Sequence, residues 1–121
     1  MVEVICDTSF LIHLATKRIK NIDNLDSEIG SLTFLVPEVV HNELNKLIKN
    51  PKKKEQISLT LDYIKKFKSL PIKGSFADKE LLDYASRNHV IIATMDKELK
   101  KHIKIFGNSI LTIHNNQILL E

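Results

Sequence analysis

Apolar positions along this chain alternate between two rhythms. Val2, Val4 and Ile5 make a short, largely β-branched run, the pattern of a buried strand. Phe10, Leu11, Ile12, Leu14 and Ala15 then return at helical spacing, and Ile22, Leu25 and Ile29 continue a helical stripe that stops at Gly30. Residues 32–36 read as a second buried strand. Pro37 suits the first turn of the following helix, and Glu38 beside it favours the positive end of that helix. This helix is predicted to run to about Asn50-Pro51. Ile57, Leu61, Ile64 and Phe67 form the apolar face of the next, which must end near Pro71. A further helix is predicted from Ser75 to about Asn88, with Leu81, Leu82 and Ala85 facing inward. Residues 90–93 form a third strand, and Leu99, Ile103 and Phe106 mark a short helix closed by Gly107. Two short apolar runs around Asn115-Asn116 predict a last strand turning into an edge strand. Strands alternating with helices give an α/β fold. The sheet is predicted to be parallel, with four to five strands and helices on both faces.

Size and composition narrow this picture. At 121 residues the chain is expected to form one domain, 1–121, able to bury about two-thirds of its unfolded surface. Hydrophobic residues at 43% and charged residues at 27% are ordinary for a water-soluble fold. The single cysteine, Cys6, excludes a disulfide framework and a cysteine-rich zinc site. No basic-then-apolar leader and no apolar run of membrane-spanning length are visible, so a cytoplasmic protein without membrane attachment is expected. The net charge of +3 is modest, but its distribution is not even. Lys46, Lys49, Lys52, Lys53 and Lys54 cluster, as do Lys65, Lys66 and Lys68, and again Lys97, Lys100, Lys101 and Lys104. Such clusters either solubilise exposed helix faces or neutralise phosphates.

The acids carry the candidate chemistry. Asp7 closes the first strand, in front of Thr8 and Ser9, where α/β folds bind ligands and where an acid also caps a helix. Glu43 falls on the inward stripe of its helix, with Val40 and Leu47. A carboxylate there costs several kcal/mol unless it is paired, for instance with Lys46, or bound to a cation. Asp78 stands three residues after Ser75, the spacing of a capping box, yet also on the side of Leu81 and Leu82. Asp96 follows the third strand and precedes the next helix, again a capping position. Asp62 and Asp83 fall on polar faces and are expected on the surface. Asp7 and Asp96 both belong at the carboxyl edge of one sheet, with Glu43 and Asp78 beside it. Four carboxylates in one place repel, and a divalent cation relieves the repulsion. Oxygen ligands without thiol or imidazole favour Mg²⁺ or Mn²⁺.

These residues, in this order, resemble the PIN-domain family of metal-dependent ribonucleases over essentially the whole chain. Asp7-Thr8-Ser9 resembles its first motif, and Pro37-Glu38-Val39-Val40-His41-Asn42-Glu43-Leu44 its second. Ala77-Asp78-Lys79-Glu80-Leu81-Leu82-Asp83-Tyr84-Ala85 resembles the third, and Thr94-Met95-Asp96-Lys97-Glu98-Leu99 the fourth. The resemblance implies a Rossmann-like sheet and one or two Mg²⁺ or Mn²⁺ ions held by Asp7, Glu43, Asp78 and Asp96. It implies hydrolysis of RNA to a 5′-phosphate and a 3′-hydroxyl. Thr8, Ser9 and Thr94 become supporting groups, and Lys46, Lys49, Lys97, Lys100 and Lys101 candidate contacts to the RNA backbone. Two branches stay open. Small members resemble the VapC toxins, which a protein antitoxin silences and which often form homodimers, whereas others process ribosomal RNA. From other classes, a receiver domain would need an acidic pair at the first strand. A haloacid-dehalogenase phosphatase would need an acid at Ser9. A non-catalytic RNA-binding or scaffolding domain is the rival from another class; the four acids argue against it, because carboxylates beside an RNA path hinder binding unless a metal neutralises them.

Overall fold

The computed structural model describes residues 2–20 and 32–121, so the helical stripe expected over Ile22, Leu25 and Ile29 lies outside the described residues. The chain opens with β1 (Val2–Cys6) and α1 (Thr8–Thr16), and continues with β2 (Leu32–Pro37), α2 (Glu38–Leu47) and α3 (Lys54–Tyr63). A single 3₁₀ turn, Ile64–Lys66, leads into β3 (Lys68–Leu70). Then follow α4 (Ala77–Arg87), β4 (Ile91–Ala93), α5 (Lys97–Ile105), β5 (Ser109–His114) and β6 (Gln117–Leu120). The strand order is β3-β2-β1-β4-β5-β6, parallel throughout except for β6. β1 is central because it is buried on both faces. Val4 and Cys6 face one core cluster and Ile5 the other, as the two-residue period of a strand requires.

The first cluster joins Phe10, Leu11 and Leu14 of α1 to Val39, Val40 and Leu44 of α2 and Ile57 of α3. The second sets Leu81 and Ala85 of α4 and Leu99 and Ile103 of α5 against Ile5, Leu35, Ile92 and Ile110. Each of the larger buried side chains stabilises the fold by about 1.5–3 kcal/mol before chain entropy is counted. One residue crosses this division: Ala77, the first of α4, belongs to the cluster on the opposite side. The amino end of α4 therefore reaches across the carboxyl edge of the sheet.

The sheet has six strands rather than four or five. The extra strand, β3, lies where helix was expected. Helix α3 stops at Tyr63 because Phe67 turns extended, at φ −91° and ψ 153°, and packs on Phe34 of β2 with ring centres 5.3 Å apart. Lys68, Ser69 and Leu70 then pair with Leu35, Val36 and Pro37. Helix α2 likewise ends earlier than expected, at Leu47, with turns rather than helix leading up to Lys53. At the other end, Asn115 and Asn116 take left-handed conformations, φ 52° and 60°, as a two-residue hairpin turn demands. β6 runs back along β5 until Glu121 exchanges two backbone hydrogen bonds with Ile110, at 3.0 and 2.7 Å.

Candidate functional site

At the carboxyl edge of the sheet, Asp7, Thr8, Ser9, Ile12, Glu43, Leu47, Lys53, Asp78 and Asp96 line a cavity of about 320 Å³. All four acids singled out in the sequence therefore face one hollow, from four separate elements. Parallel pairing explains two of them. Cys6 is in register with Ala93, so Asp7 and the segment after Ala93 leave the sheet side by side, tied by a 2.9 Å bond from the Asp7 N–H to the Ala93 carbonyl. Glu43 comes from the half-buried margin of α2, one residue from the buried Leu44. Asp78 arrives on the amino end of α4, which Ala77 anchors.

Asp7 is 2% exposed and densely held. Its Oδ1 accepts from the Phe10 N–H at 2.9 Å, which caps α1, and lies 2.9 Å from Ser9 Oγ. Its Oδ2 accepts from the Thr94 hydroxyl and lies 3.1 Å from Ser9 Oγ. The hydroxyls are themselves oriented: Met95 N–H donates to Ser9 Oγ at 3.1 Å, and Asp96 N–H to Thr94 Oγ1 at 3.0 Å. Burial nonetheless pushes the Asp7 carboxyl from 3.8 up to about 6, against the lowering effect of Thr94, Phe10 and Ser9 and with Asp78 adding to the rise. Loss of water also raises the Asp78 carboxyl, and the neighbouring charges of Asp96 and Glu43 add to it.

Capping and facing the hollow prove compatible. Asp96 caps α5 through Oδ1 alone, accepting from Glu98 and Leu99 N–H at 2.9 and 3.1 Å, while its residue still lines the cavity. The capping box expected at Ser75 and Asp78 does not form. The cap position of α4 is Phe76, which makes no side-chain cap bond, and Ser75 is exposed before it. Glu43 enters none of the ion pairs among the described residues, so the alternative of a pair with Lys46 is not realised there. Asp62 and Asp83 are on the surface as expected, each paired along its own segment, with Lys65 and Arg87.

The supporting hydroxyls divide in role. Ser9 and Thr94 hold Asp7, whereas Thr8 Oγ1 is buried in the wall without a hydrogen-bond partner among the described residues. None of Lys46, Lys49, Lys97, Lys100 and Lys101 lines the hollow. Lys100 and Lys101 pair instead with Glu121 and Glu98. The cation that does line it is Lys53, which the sequence leaves undistinguished within its cluster. Among the described residues, no three carboxylate, imidazole or thiol groups already stand together as a ligand set. A larger hollow of about 460 Å³ opens at the opposite edge, beside Val2, Tyr84 and His89. It holds Glu3 as its one acid, so the convergence of acids belongs to the carboxyl edge.

A family model described as PIN like domain matches residues 4–116. Ribonuclease VapC4 of Methanocaldococcus jannaschii is 33% identical over 91% of this chain and 87% of that protein. The structure of the PIN domain endonuclease Utp24 superposes with a TM-score of 0.76 at 28% identity, covering 98% of this chain and 90% of the other. The family match spans residues 4–116 and the fold agrees with these likenesses: the chain belongs to the PIN-like domain family.

Proposed function

We propose that this protein is a Mg²⁺- or Mn²⁺-dependent endoribonuclease that hydrolyses RNA phosphodiester bonds, with Asp7, Glu43, Asp78 and Asp96 as its ion-holding acids. The observation that carries the reading is that four acids from distant segments line one hollow, where burial raises the proton affinity of Asp7 and Asp78 and neighbouring carboxylates add to the rise. Relatives named as a ribonuclease and an endonuclease support it. The residues fit a hard divalent cation. The hollow offers carboxylate and hydroxyl oxygens with no thiol or imidazole, and Thr8 Oγ1 is a buried oxygen in want of a partner. Asp7, Glu43, Asp78 and Asp96 would hold the ion, Asp7 and Asp96 from the ends of β1 and β4 and Glu43 and Asp78 from α2 and α4. Such an ion, when bound, lowers the pKa of water and offsets charge on the departing 3′ oxygen. Ser9 and Thr94 keep both Asp7 oxygens oriented throughout.

Identity to VapC4 over nearly the whole length favours the toxin of a VapBC-type pair, with an antitoxin protein as partner and a homodimer as its assembly. The ribosomal-RNA-processing reading draws on α5, where Lys97, Lys100, Lys101 and Lys104 fall within nine residues. Growth arrest on expression, relieved by the product of an adjacent gene, separates the two. Cleavage of single-stranded RNA with Mn²⁺, lost with chelator and in Asp7→Asn, is the result expected of either. Cleavage that survives both treatments assigns the activity elsewhere.

A further inference from the structure

Lys52, Lys53 and Lys54 crowd the amino end of α3, where the helix dipole favours acids. Lys53 is the cap residue and supplies no side-chain cap bond. A helix start written this way sacrifices local stability, a pattern expected where a residue serves something other than the fold. Its backbone is nevertheless held in place. Asn50 accepts from Lys53 N–H through its carbonyl at 3.0 Å and from Lys52 N–H through Oδ1 at 3.0 Å. Pro51 pre-sets the turn between them, and Ile57 N–H donates back to the Lys53 carbonyl at 2.9 Å. This turn seats Lys53 on the wall of the acid hollow, with Glu43 and Leu47 of α2.

Lys53 is the one cation among the described residues that lines the hollow. It joins none of the ion pairs among those residues, which are Lys65–Asp62, Arg87–Asp83, Lys100–Glu121 and Lys101–Glu98. Lys53 thus shares the wall of the hollow with the acids and stands outside every ion pair among the described residues. A group that meets a cation on one wall and ion-holding oxygens on the other is an anion carrying several oxygens, as a phosphodiester does. We propose that Lys53 binds a non-bridging phosphate oxygen of the RNA strand and sets the scissile phosphate against the four acids. This rests on the ribonuclease reading above.

The test compares wild type, Lys53→Met and Lys53→Arg on a fluorescein-labelled single-stranded RNA with Mn²⁺. Binding of the same RNA is followed by anisotropy in the Asp7→Asn background, and Mn²⁺ affinity by thermal shift. Lys53→Met, which keeps the aliphatic stem, is expected to lose about tenfold or more in kcat/KM and to bind RNA correspondingly less well. Its salt dependence of binding should flatten by about 0.7 in logarithmic slope. Lys53→Arg should recover most of both, and Mn²⁺ affinity should stay as in wild type. If wild type cleaves and Lys53→Met matches it, the proposal falls and the ribonuclease reading stands. Tighter Mn²⁺ binding with faster cleavage in Lys53→Met would also overturn it, marking Lys53 as an internal counterion competing with the metal. Absence of metal-dependent cleavage by wild type would end both readings.

Discussion

The acids that close strands and the acids that ride on helices are built differently. Asp7 and Asp96 are tied down, Asp7 through both oxygens to Phe10, Ser9 and Thr94, Asp96 through one oxygen to the first turn of α5. Glu43 and Asp78 sit at the rim, and no hydrogen bond to their carboxylates is seen among the described residues. A preorganised base paired with an adjustable lip lets a site accept a cation without carrying four fixed, mutually repelling charges when empty. If that division holds, substitutions in the base should be costly and selective, and substitutions at the lip milder.

The strongest way to break the comparison is Asp7→Asn. It is expected to lower kcat/KM by more than about a hundredfold, beyond the 10–100-fold that loss of a supporting partner costs. An RNA-cleavage assay that finds a smaller loss than for Glu43→Gln would reverse the ranking. Second, Asp7 makes stability depend on pH. The folded protein keeps the Asp7 proton up to about pH 6, whereas the unfolded chain releases it near 3.8. Stability from the neutral carboxyl is therefore present below about pH 4 and is lost as pH rises through about 6, a change worth about 3 kcal/mol. Asparagine does not titrate. Melts in chelator should therefore show wild type losing ground to Asp7→Asn across that window and then running parallel to it. A constant difference from pH 4 to 8 would mean that burial does not penalise the carboxylate.

Third, Thr94→Val keeps the shape but leaves the Asp96 N–H without its Thr94 acceptor and Asp7 Oδ2 with Ser9 Oγ as its one remaining hydroxyl partner. A 10–100-fold fall in kcat/KM and a loss of about 1–3 kcal/mol by denaturant titration are expected. Unchanged activity would show that the hydroxyl does not orient Asp7. The smallest effect should come from Glu43→Gln, about a tenfold loss in activity by the lip standard. Its melting temperature without metal should be no lower than wild type, because one charge that raises Asp78 is gone. Marked destabilisation would place Glu43 in the scaffold instead.

Much of this was visible in the chain itself, for definable reasons. Buried parallel strands announce themselves as apolar runs, which is why β1, β2, β4, β5 and β6 could be read from residues alone. Lys68-Ser69-Leu70 has no such run, and it is a strand only because Leu35, Val36 and Pro37 offer it a free edge. The order of the acids was legible, but whether an aspartate caps a helix or faces a hollow was not. Asp96 does both with one side chain, and local spacing describes only the first. Ser75 and Asp78 show the converse, a capping spacing that tertiary packing leaves unused. The lysines were least informative. Lys46, Lys49 and Lys53 look alike in sequence, and only the Asn50-Pro51 turn directs one of them to the acids.

The closing hairpin has a practical corollary. By folding β6 back, the polypeptide returns Glu121 to the level of Ile110, which the register through Ile92 sets level with Ile5 of β1. β6 runs antiparallel to β5, so the chain heads away from Asp7 and Asp96 as it reaches Glu121. A tag joined after Glu121 would thus begin on a path that leads away from the hollow those acids line.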